Sequence, residues 1–288
     1  MNIYRRVLHK LSKAPSRVLN LLYLLYFKIA LRKKNSYCPG IEDLTSNKKL
    51  NFIKQPDDKS LIIHVLYGGL GDHLLHSHIP RIAKQSGKYS KVFLSSSSPI
   101  RNQRHIEYIW ANNPYLDGFC SEHPQYDHNV VNTSHFDTSK ENILDRIMLS
   151  YGLDDGLRWH EPELFFEIPF ISELKGKSVY DPNFISDSGG LNSFKIAKFL
   201  HKHEGNLNFQ FPCRRGSSAL PVINFDQTIK DSNFVEFCSI LISCERVYSL
   251  TTGTATLAAA LKKNATILHG SKLDKKFLHS KRHDYILL

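Results

Sequence analysis

Residues 60–75 read Ser-Leu-Ile-Ile-His-Val-Leu-Tyr-Gly-Gly-Leu-Gly-Asp-His-Leu-Leu, and the order of residue types in this stretch decides the fold class. The apolar run at residues 61–66 is typical of a buried strand, residues 68–72 carry the glycines of a tight turn, and residues 72–85 are predicted to form a helix. A strand, a turn and a helix in this order make one unit of a parallel sheet with crossover helices. The stretch therefore predicts an α/β protein.

The same alternation of short apolar runs and amphipathic stretches continues along the chain. Further strands are predicted at residues 91–95, 126–131, 207–211, 246–250 and 265–269, the last being the final strand. Further helices are predicted at residues 105–112, 142–151, 191–203, 232–243 and 255–261. Residues 152–178 are rich in proline, glycine and charge, and predict a linker between two α/β domains at residues 59–165 and 177–288.

The positive charge of the chain is concentrated at its N-terminal end. Lysine and arginine total 38 against 27 acidic residues, a net charge of +11, and nine basic residues but no acid lie within residues 1–41. Only two of the eleven net charges therefore belong to the rest of the chain. Because phosphate binding needs a basic face on the folded domain, nucleic acid is not an expected partner.

Residues 1–50 are predicted to form a basic amphipathic helical arm. The longest apolar run there, residues 18–31, is interrupted by Asn20 and Lys28 and is shorter than the roughly 20 apolar residues that a membrane-spanning helix needs. Its aromatic residues and flanking cations favour an anionic membrane surface as a partner. The alternative is a helix that packs on the protein's own body.

The cysteine pattern bears on the compartment. Five cysteines occur without any C-x-x-C pair, which excludes a zinc ribbon and a disulfide scaffold and favours a reducing cytoplasm. Together with the arm, this pattern predicts a cytoplasmic protein that is peripheral at the inner face of the cytoplasmic membrane.

The first turn whose residues could take part in binding or catalysis contains Gly68, Gly69, Gly71, Asp72 and His73. Glycines at the start of a helix let the backbone approach a ligand and leave N–H groups free for an anion or a sugar. The spacing departs from the G-x-G-x-x-G dinucleotide pattern. A carboxylate at Asp72 could accept a proton from an attacking hydroxyl, and the alternative is that Asp72 only caps the helix.

The second turn reads Thr251-Thr252-Gly253-Thr254 and again lies between a predicted strand and a predicted helix. Hydroxyl groups and backbone N–H groups at such a helix start can hold a diphosphate without a lysine. These four residues are the candidate donor-binding turn. Threonine is also an ordinary helix cap, which is the structural alternative.

Cations that could neutralise a departing phosphate follow a predicted strand end. Arg214 and Arg215 are the first candidates, and Lys195 and Lys198 are the second. The alternative for each is a cation on the solvated surface.

The histidines after the first turn bear on metal binding. Only His73 and His76 could share a helix face, and no H-E-x-x-H pattern accompanies them, so neither a metal nor another cofactor is expected. His76 is a candidate catalytic residue, and a histidine on the helix surface is the alternative.

Both turns together carry a family resemblance. Residues 68–75, 78–83 and 113–117 resemble the acceptor-side domain of family 9 glycosyltransferases, the heptosyltransferase-like enzymes, and residues 251–259 and 265–270 resemble their donor-side loop and the strand after it. The resemblance implies a GT-B fold, with two Rossmann-like domains facing a cleft. It also implies that Asp72 is the base of an inverting transfer.

The resemblance sets the expected function. We expect an inverting, metal-independent transfer of a sugar from a nucleotide-linked donor to a hydroxyl of a surface polysaccharide or lipopolysaccharide precursor, so that the acceptor is a glycan or lipid-linked glycan. Thr251 and Thr256 stand where the family usually has aspartate and histidine, so the donor stays open. The alternatives are transfer of a phosphoribosyl or pyruvyl group, or a non-catalytic glycan-binding subunit.

Overall fold

The computed structural model describes residues 51–53, 57, 59–65, 67–121, 137, 139–185, 189–214 and 217–288. The predicted arm, the predicted strand at residues 126–131 and Arg215 lie outside the described residues. Among the described residues, no helix combines the length and the apolar character needed to cross a membrane.

The described residues form twelve strands and six α-helices. The strands are β1 (Asn51–Ile53), β2 (Ser60–Ile63), β3 (Lys91–Ser95), β4 (Gly118–Cys120), β5 (Ser178–Asp181), β6 (Asn183–Phe184), β7 (Leu207–Gln210), β8 (Ser218–Ala219), β9 (Phe225–Thr228), β10 (Arg246–Leu250), β11 (Thr266–His269) and β12 (Asp284–Leu287). The α-helices are α1 (Leu70–His76), α2 (Ile79–Gln85), α3 (Ile143–Ser150), α4 (Ser193–Glu204), α5 (Phe234–Ser243) and α6 (Gly253–Ala260). A π-helix covers Ile106–Ala111, and short 3-10 helices cover Ser172–Leu174 and Lys275–Phe277.

The first sheet is parallel throughout, with the strand order β1-β4-β3-β2. Its strands contribute Ile63, Leu94 and Phe119 to the core, and Trp110 of the π-helix is fully buried as well. The sheet confirms the expected parallel α/β architecture.

The second sheet is also parallel, with the order β12-β11-β10-β5-β7-β9. When only the six strands of this sheet are numbered along the chain, leaving out the separate pair β6 and β8, the order is 6-5-4-1-2-3, which is that of the doubly wound nucleotide-binding sheet. The strand order reverses between β5 and β10. In open α/β sheets, ligands bind beyond the carboxyl ends of the two strands at such a reversal.

Polar caps start most of the helices. Asn142, Asn192 and Asn233 each accept a hydrogen bond from the backbone N–H three residues further on, at the starts of α3, α4 and α5. Thr252 caps α6 by accepting from the Thr254 N–H. Side-chain oxygens at these positions satisfy N–H groups that have no partner within the helix.

Two predictions about the elements are wrong. The helix expected at residues 72–85 is two helices, α1 and α2, because Pro80 lacks an N–H and starts a new helix rather than continuing the first. The strand at residues 265–269 is not the last, since β12 pairs with it in parallel. The strands predicted at residues 91–95 and 246–250 are confirmed with the same bounds.

Candidate active site

The first glycine turn is held against the loop that follows β3. The Arg101 N–H donates to the Gly68 carbonyl at 3.1 Å, and a Cβ at Gly68 would lie 2.9 Å from the Pro99 carbonyl oxygen. Only glycine fits this approach. The turn therefore has its position fixed by the neighbouring strand's loop, at the carboxyl edge of the first sheet.

Asp72 lies in the first turn of α1 and caps it. Its Oδ2 atom accepts a hydrogen bond from the Gly69 N–H at 3.0 Å. Burial raises the pKa of the Asp72 carboxyl above its ordinary value, although the Gly69 N–H and the positive charge of Arg101 act in the opposite direction. Asp72 therefore caps α1 and also has a carboxyl group whose pKa is raised.

Arg101 is a site residue that sequence reasoning missed. Its side chain is exposed, and its Nη1 atom would lie 3.8 Å from a Cβ at Gly69. Its positive charge contributes to the lowered pKa of His105, and it opposes the burial that raises the pKa of Asp72. A guanidinium group therefore lies beside the half-buried carboxylate at the start of α1.

The starts of α1 and α6 are in direct contact. A Cβ at Gly71 would lie 3.2 Å from the Gly253 Cα and 3.4 Å from the Thr256 Oγ1, and a Cβ at Gly253 would lie 3.0 Å from the Gly71 nitrogen. Two glycines facing each other let the helix backbones approach this closely. The contact joins the candidate acceptor-side turn to the candidate donor-binding turn.

Aromatic rings make a second contact between the two halves of the chain. Phe234 of α5 packs on Tyr108 and Phe166, with ring centroids 5.4 Å and 6.2 Å away. His105 lies 6.4 Å from the same ring. Edge and tilted ring contacts of this kind stabilise packing beyond the area they bury.

The second turn is tied to the strand at the reversal point of the second sheet. The Thr254 hydroxyl donates to Asp181 Oδ2 at 2.6 Å, and Asp181 is the buried last residue of β5. The Thr251 Oγ1 atom is buried and has no hydrogen-bond partner among the described residues. Because buried hydroxyls are nearly always bonded, that atom marks a position suited to a ligand.

Asp181 also organises the loop that carries Arg214. Its Oδ1 atom accepts from the Asn183 N–H at 3.1 Å and from Asn183 Nδ2 at 2.7 Å. The Asn183 Oδ1 atom in turn accepts from the Arg214 N–H at 2.7 Å and from the Ser217 hydroxyl at 3.1 Å. The carboxylate of Asp181 therefore links the start of α6 to the Arg214 loop.

The predicted phosphate-binding cations have different surroundings. Arg214 donates to Asp231 Oδ1 at 3.3 Å, and its guanidinium carbon lies 4.4 Å from the centroid of the Phe237 ring. Lys195 and Lys198 are exposed on α4. The charge of Arg214 is therefore partly balanced by the Asp231 carboxylate, whereas the two lysines face solvent.

His73 is held inside the first half of the chain. Its Nδ1 atom accepts from Trp110 Nε1 at 2.9 Å, and its Nε2 atom lies 3.1 Å from the Pro99 carbonyl oxygen, to which it donates. Both ring nitrogens are thus bonded within the protein. His73 fixes the turn that precedes Asp72.

His76 bonds to the backbone of Asp72. Its Nδ1–H donates to the Asp72 carbonyl oxygen at 2.8 Å, its side chain is 6% exposed, and its Nε2 atom has no partner among the described residues. Burial lowers the pKa of His76 to about 4. The ring is neutral at pH 7 and positions the first turn of α1. Within the described residues, no group of three histidine, cysteine or acidic side chains is arranged to hold a metal ion.

Acid pH is expected to destabilise the fold through buried histidines. Burial, the largest cause, lowers the pKa of His73 to about 3 and those of His76, His105 and His279 to about 4. Because the pKa is lowered only in the folded state, the free energy of unfolding is unaffected above pH 6.5, the ordinary pKa of histidine, and decreases as the pH falls below that value. His160 acts oppositely, because Asp145 and Asp155 raise its pKa despite burial.

The melting temperature between pH 7 and pH 4 measures this effect. His279→Asn removes one titrating group, which contributes about 1.4 kcal/mol per pH unit to the pH dependence of the unfolding free energy. The variant is therefore expected to show a flatter plot of melting temperature against pH. His201→Asn changes an exposed histidine and serves as the control. Equal curves for both variants and the wild type would contradict the prediction.

Comparison with solved structures identifies the fold. The iron-containing dodecameric glycosyltransferase TibC from enterotoxigenic E. coli H10407 superposes with a TM-score of 0.53 at 15% identity, over 80% of this chain and 63% of TibC. The chain has a heptosyltransferase-like fold. TibC in complex with ADP-D-β-D-heptose gives the same TM-score and coverage at 12% identity. A family 9 glycosyltransferase from Veillonella parvula DSM 2008 gives 0.49 at 10% identity, over 81% of this chain and 86% of that one.

The chain spans about three fifths of the length of TibC. No protein-family model and no curated protein matches the sequence. Within the heptosyltransferase-like fold of this chain, both candidate turns lie at the carboxyl ends of parallel strands and touch through Gly71 and Gly253.

Proposed function

We propose that the chain is a glycosyltransferase that moves a sugar from a nucleotide-linked donor to a hydroxyl of a surface polysaccharide or lipopolysaccharide precursor. The observation that carries the proposal is the contact of the two turns, which brings a half-buried carboxylate and a threonine-rich helix start to one place. The heptosyltransferase-like fold and the ADP-heptose complex of TibC support a nucleotide-sugar donor.

Asp72 is the proposed general base. The Gly69 N–H fixes its Oδ2 atom, which leaves Oδ1 to accept the proton of the acceptor hydroxyl as that oxygen attacks the anomeric carbon. A pKa raised by burial makes the carboxylate a stronger base than an ordinary aspartate. Attack from the face opposite the leaving group gives inversion, and no step requires a metal.

The start of α6 is the proposed site for the donor's diphosphate. Its N-terminal N–H groups and the hydroxyls of Thr251 and Thr252 stabilise the negative charge that develops on the leaving phosphate. Asp181 sets the position of Thr254 and so of the first turn of α6. Because Gly71 and Gly253 touch, the donor lies beside their contact, over the carboxyl ends of β5 and β10.

The proposal assigns a side to each half of the chain. Residues 59–165 form the acceptor side, where Arg101 lies beside the first turn, and residues 177–288 form the donor side, where Arg214 is linked to the second turn through Asn183 and Asp181. The basic arm at residues 1–50 holds the protein on the inner face of the cytoplasmic membrane. This location suits a lipid-linked acceptor.

A thermal-shift panel of nucleotides and nucleotide sugars tests the donor assignment. We expect one nucleoside diphosphate to raise the melting temperature by several degrees at about 100 Kd, while its nucleoside does not. Thr251→Val and Thr252→Val should reduce the shift, and Thr266→Val, at the amino end of β11, is the matched control. If phosphoribosyl diphosphate alone binds, the donor is not a nucleotide sugar and the proposal is wrong.

Arg101 is expected to lower the pKa of Asp72, the proposed base. Arg101→Gln removes a positive charge that lowers the pKa of Asp72, so that pKa rises further and the acid limb of the kcat/KM profile moves to higher pH. Arg104→Gln, an exposed arginine three residues further on, should leave the limb in place. Equal profiles for the two variants would show that Arg101 does not act on the base.

A further inference from the structure

The outward face of α4 combines lysines with an exposed aromatic ring. Lys195, Lys198 and Lys202 project from one side of the helix because they are three and seven residues apart, and all three are exposed. Phe194, at the start of that helix, is 78% exposed. We call these four residues the α4 surface.

The lysines of the α4 surface have no balancing acid. Their ammonium groups make no ion pair or hydrogen bond within the part of the chain that the structure describes. The only acid on α4, Glu204, is already bonded to Arg246 and to the Tyr248 hydroxyl. Lys272 adds a further cation beside the start of the helix, where its Cδ atom would lie 3.7 Å from a Cβ at Gly190.

Two further large apolar side chains are exposed in the same half of the chain as α4. Ile223 is 89% exposed and Ile185 is 44% exposed. Ile185 directly follows Phe184, which packs against the apolar cluster that holds Leu191, and Ile223 directly follows Val222, a member of that cluster. Phe194 is the exposed apolar side chain that belongs to the α4 surface itself, and an exposed aromatic ring beside a charged face is typical of a binding surface.

The α4 surface begins at the same edge of the second sheet as the donor-binding turn. Gly189, in the loop that leads into α4, packs on Gly270 directly after β11, where a Cβ at Gly189 would lie 2.6 Å from the Gly270 carbonyl oxygen. The carboxyl end of β11 is next to that of β10, which leads into Thr251. The start of the α4 surface and the candidate site therefore share one edge of the protein.

We propose that the α4 surface binds an anionic lipid bilayer, with the lysines on the headgroups and Phe194 inserted at the interface. Lysines attracted to anionic headgroups and aromatic or aliphatic side chains at the acyl boundary are the two contributions that hold a helix in the plane of a membrane. This contact is separate from any made by residues 1–50. It brings the edge of the second sheet that bears the candidate site to the membrane surface.

Vesicle sedimentation of the full-length protein tests the electrostatic part. Replacing Lys195, Lys198 and Lys202 by Glu should lower partition onto phosphatidylglycerol–phosphatidylcholine vesicles about a hundredfold, since each lysine near an anionic surface strengthens binding about fivefold. The same triple change at the exposed Lys59, Lys91 and Lys175 is the matched control, because these residues lie at the amino ends of strands. Equal losses in the two triple variants would overturn the proposal.

A fluorescence measurement locates the contact on the α4 surface itself. Phe194→Trp should show a blue-shifted emission on anionic vesicles and be quenched by lipids brominated on their acyl chains, whereas Leu157→Trp, at an exposed position outside the α4 surface, should not. If Phe194→Trp is quenched no more than Leu157→Trp, the proposal is wrong even if the lysine variant loses affinity. In that case the lysines serve another acidic partner.

Discussion

Asp72→Asn is expected to lower kcat for sugar transfer by about 10²- to 10⁴-fold, the range that a general base supplies. Asparagine keeps an oxygen that can accept from the Gly69 N–H, so the cap of α1 survives and the melting temperature changes by only a few degrees. The amide cannot take the proton of the acceptor hydroxyl. The loss therefore falls on turnover rather than on donor binding.

The control for Asp72 is an acid that caps another helix. Glu236 of α5 also accepts from a backbone N–H, that of Ser232, and it belongs to neither of the two turns. Glu236→Gln should leave transfer within about twofold of the wild type, because it changes a half-buried surface residue that belongs to neither turn. If Asp72→Asn transfers sugar at a rate near that of the wild type, Asp72 is not the base.

Gly253→Val is expected to force α1 and α6 apart and to lower transfer by about 100-fold. A Cβ at this position would lie 3.0 Å from the Gly71 nitrogen and 3.2 Å from the Leu70 Cβ, and valine adds two methyl groups to it. Overpacking of this kind costs about 1–3 kcal/mol of folding free energy. Moving the turns by about 1 Å costs about 100-fold in rate.

A graded series distinguishes overpacking from a change in helix propensity. Gly253→Ala favours the helix by about 0.5–1 kcal/mol in isolation, so a loss of stability in that variant must come from the contact with Gly71. The melting temperature and kcat should fall from glycine to alanine to valine. An alanine variant more stable than the wild type with full activity would contradict the close contact of the helices.

The sequence was sufficient for the features that depend on local pattern. The strands at residues 91–95 and 246–250 alternate sharply with their neighbours in hydrophobicity, and both turns combine glycine with a polar helix start. These signals lie within a few residues of each other. They predicted the α/β class and the two turns.

The missed features depend on contacts between distant residues. Asp181 ends a strand of four residues next to a proline-rich segment, and its role follows from strand order, which places β5 beside β10. Arg101 reaches Asp72 only because its backbone bonds to Gly68 across the first sheet. His73 looked available in the sequence, but its bond to Trp110 joins it to the core.

The central claim is that the nucleotide-sugar donor, bound at the start of α6, lies against the contact of the two turns and so protects both of them. Amide hydrogen exchange with and without a saturating nucleoside diphosphate sugar, the one selected by the thermal-shift panel, tests it most directly. We predict slower exchange in two separate peptides, one covering residues 67–74 and the other residues 250–257, with little change at residues 225–230 on the outer edge of the second sheet. Slower exchange confined to one of the two peptides, or found only elsewhere in the chain, would contradict the claim.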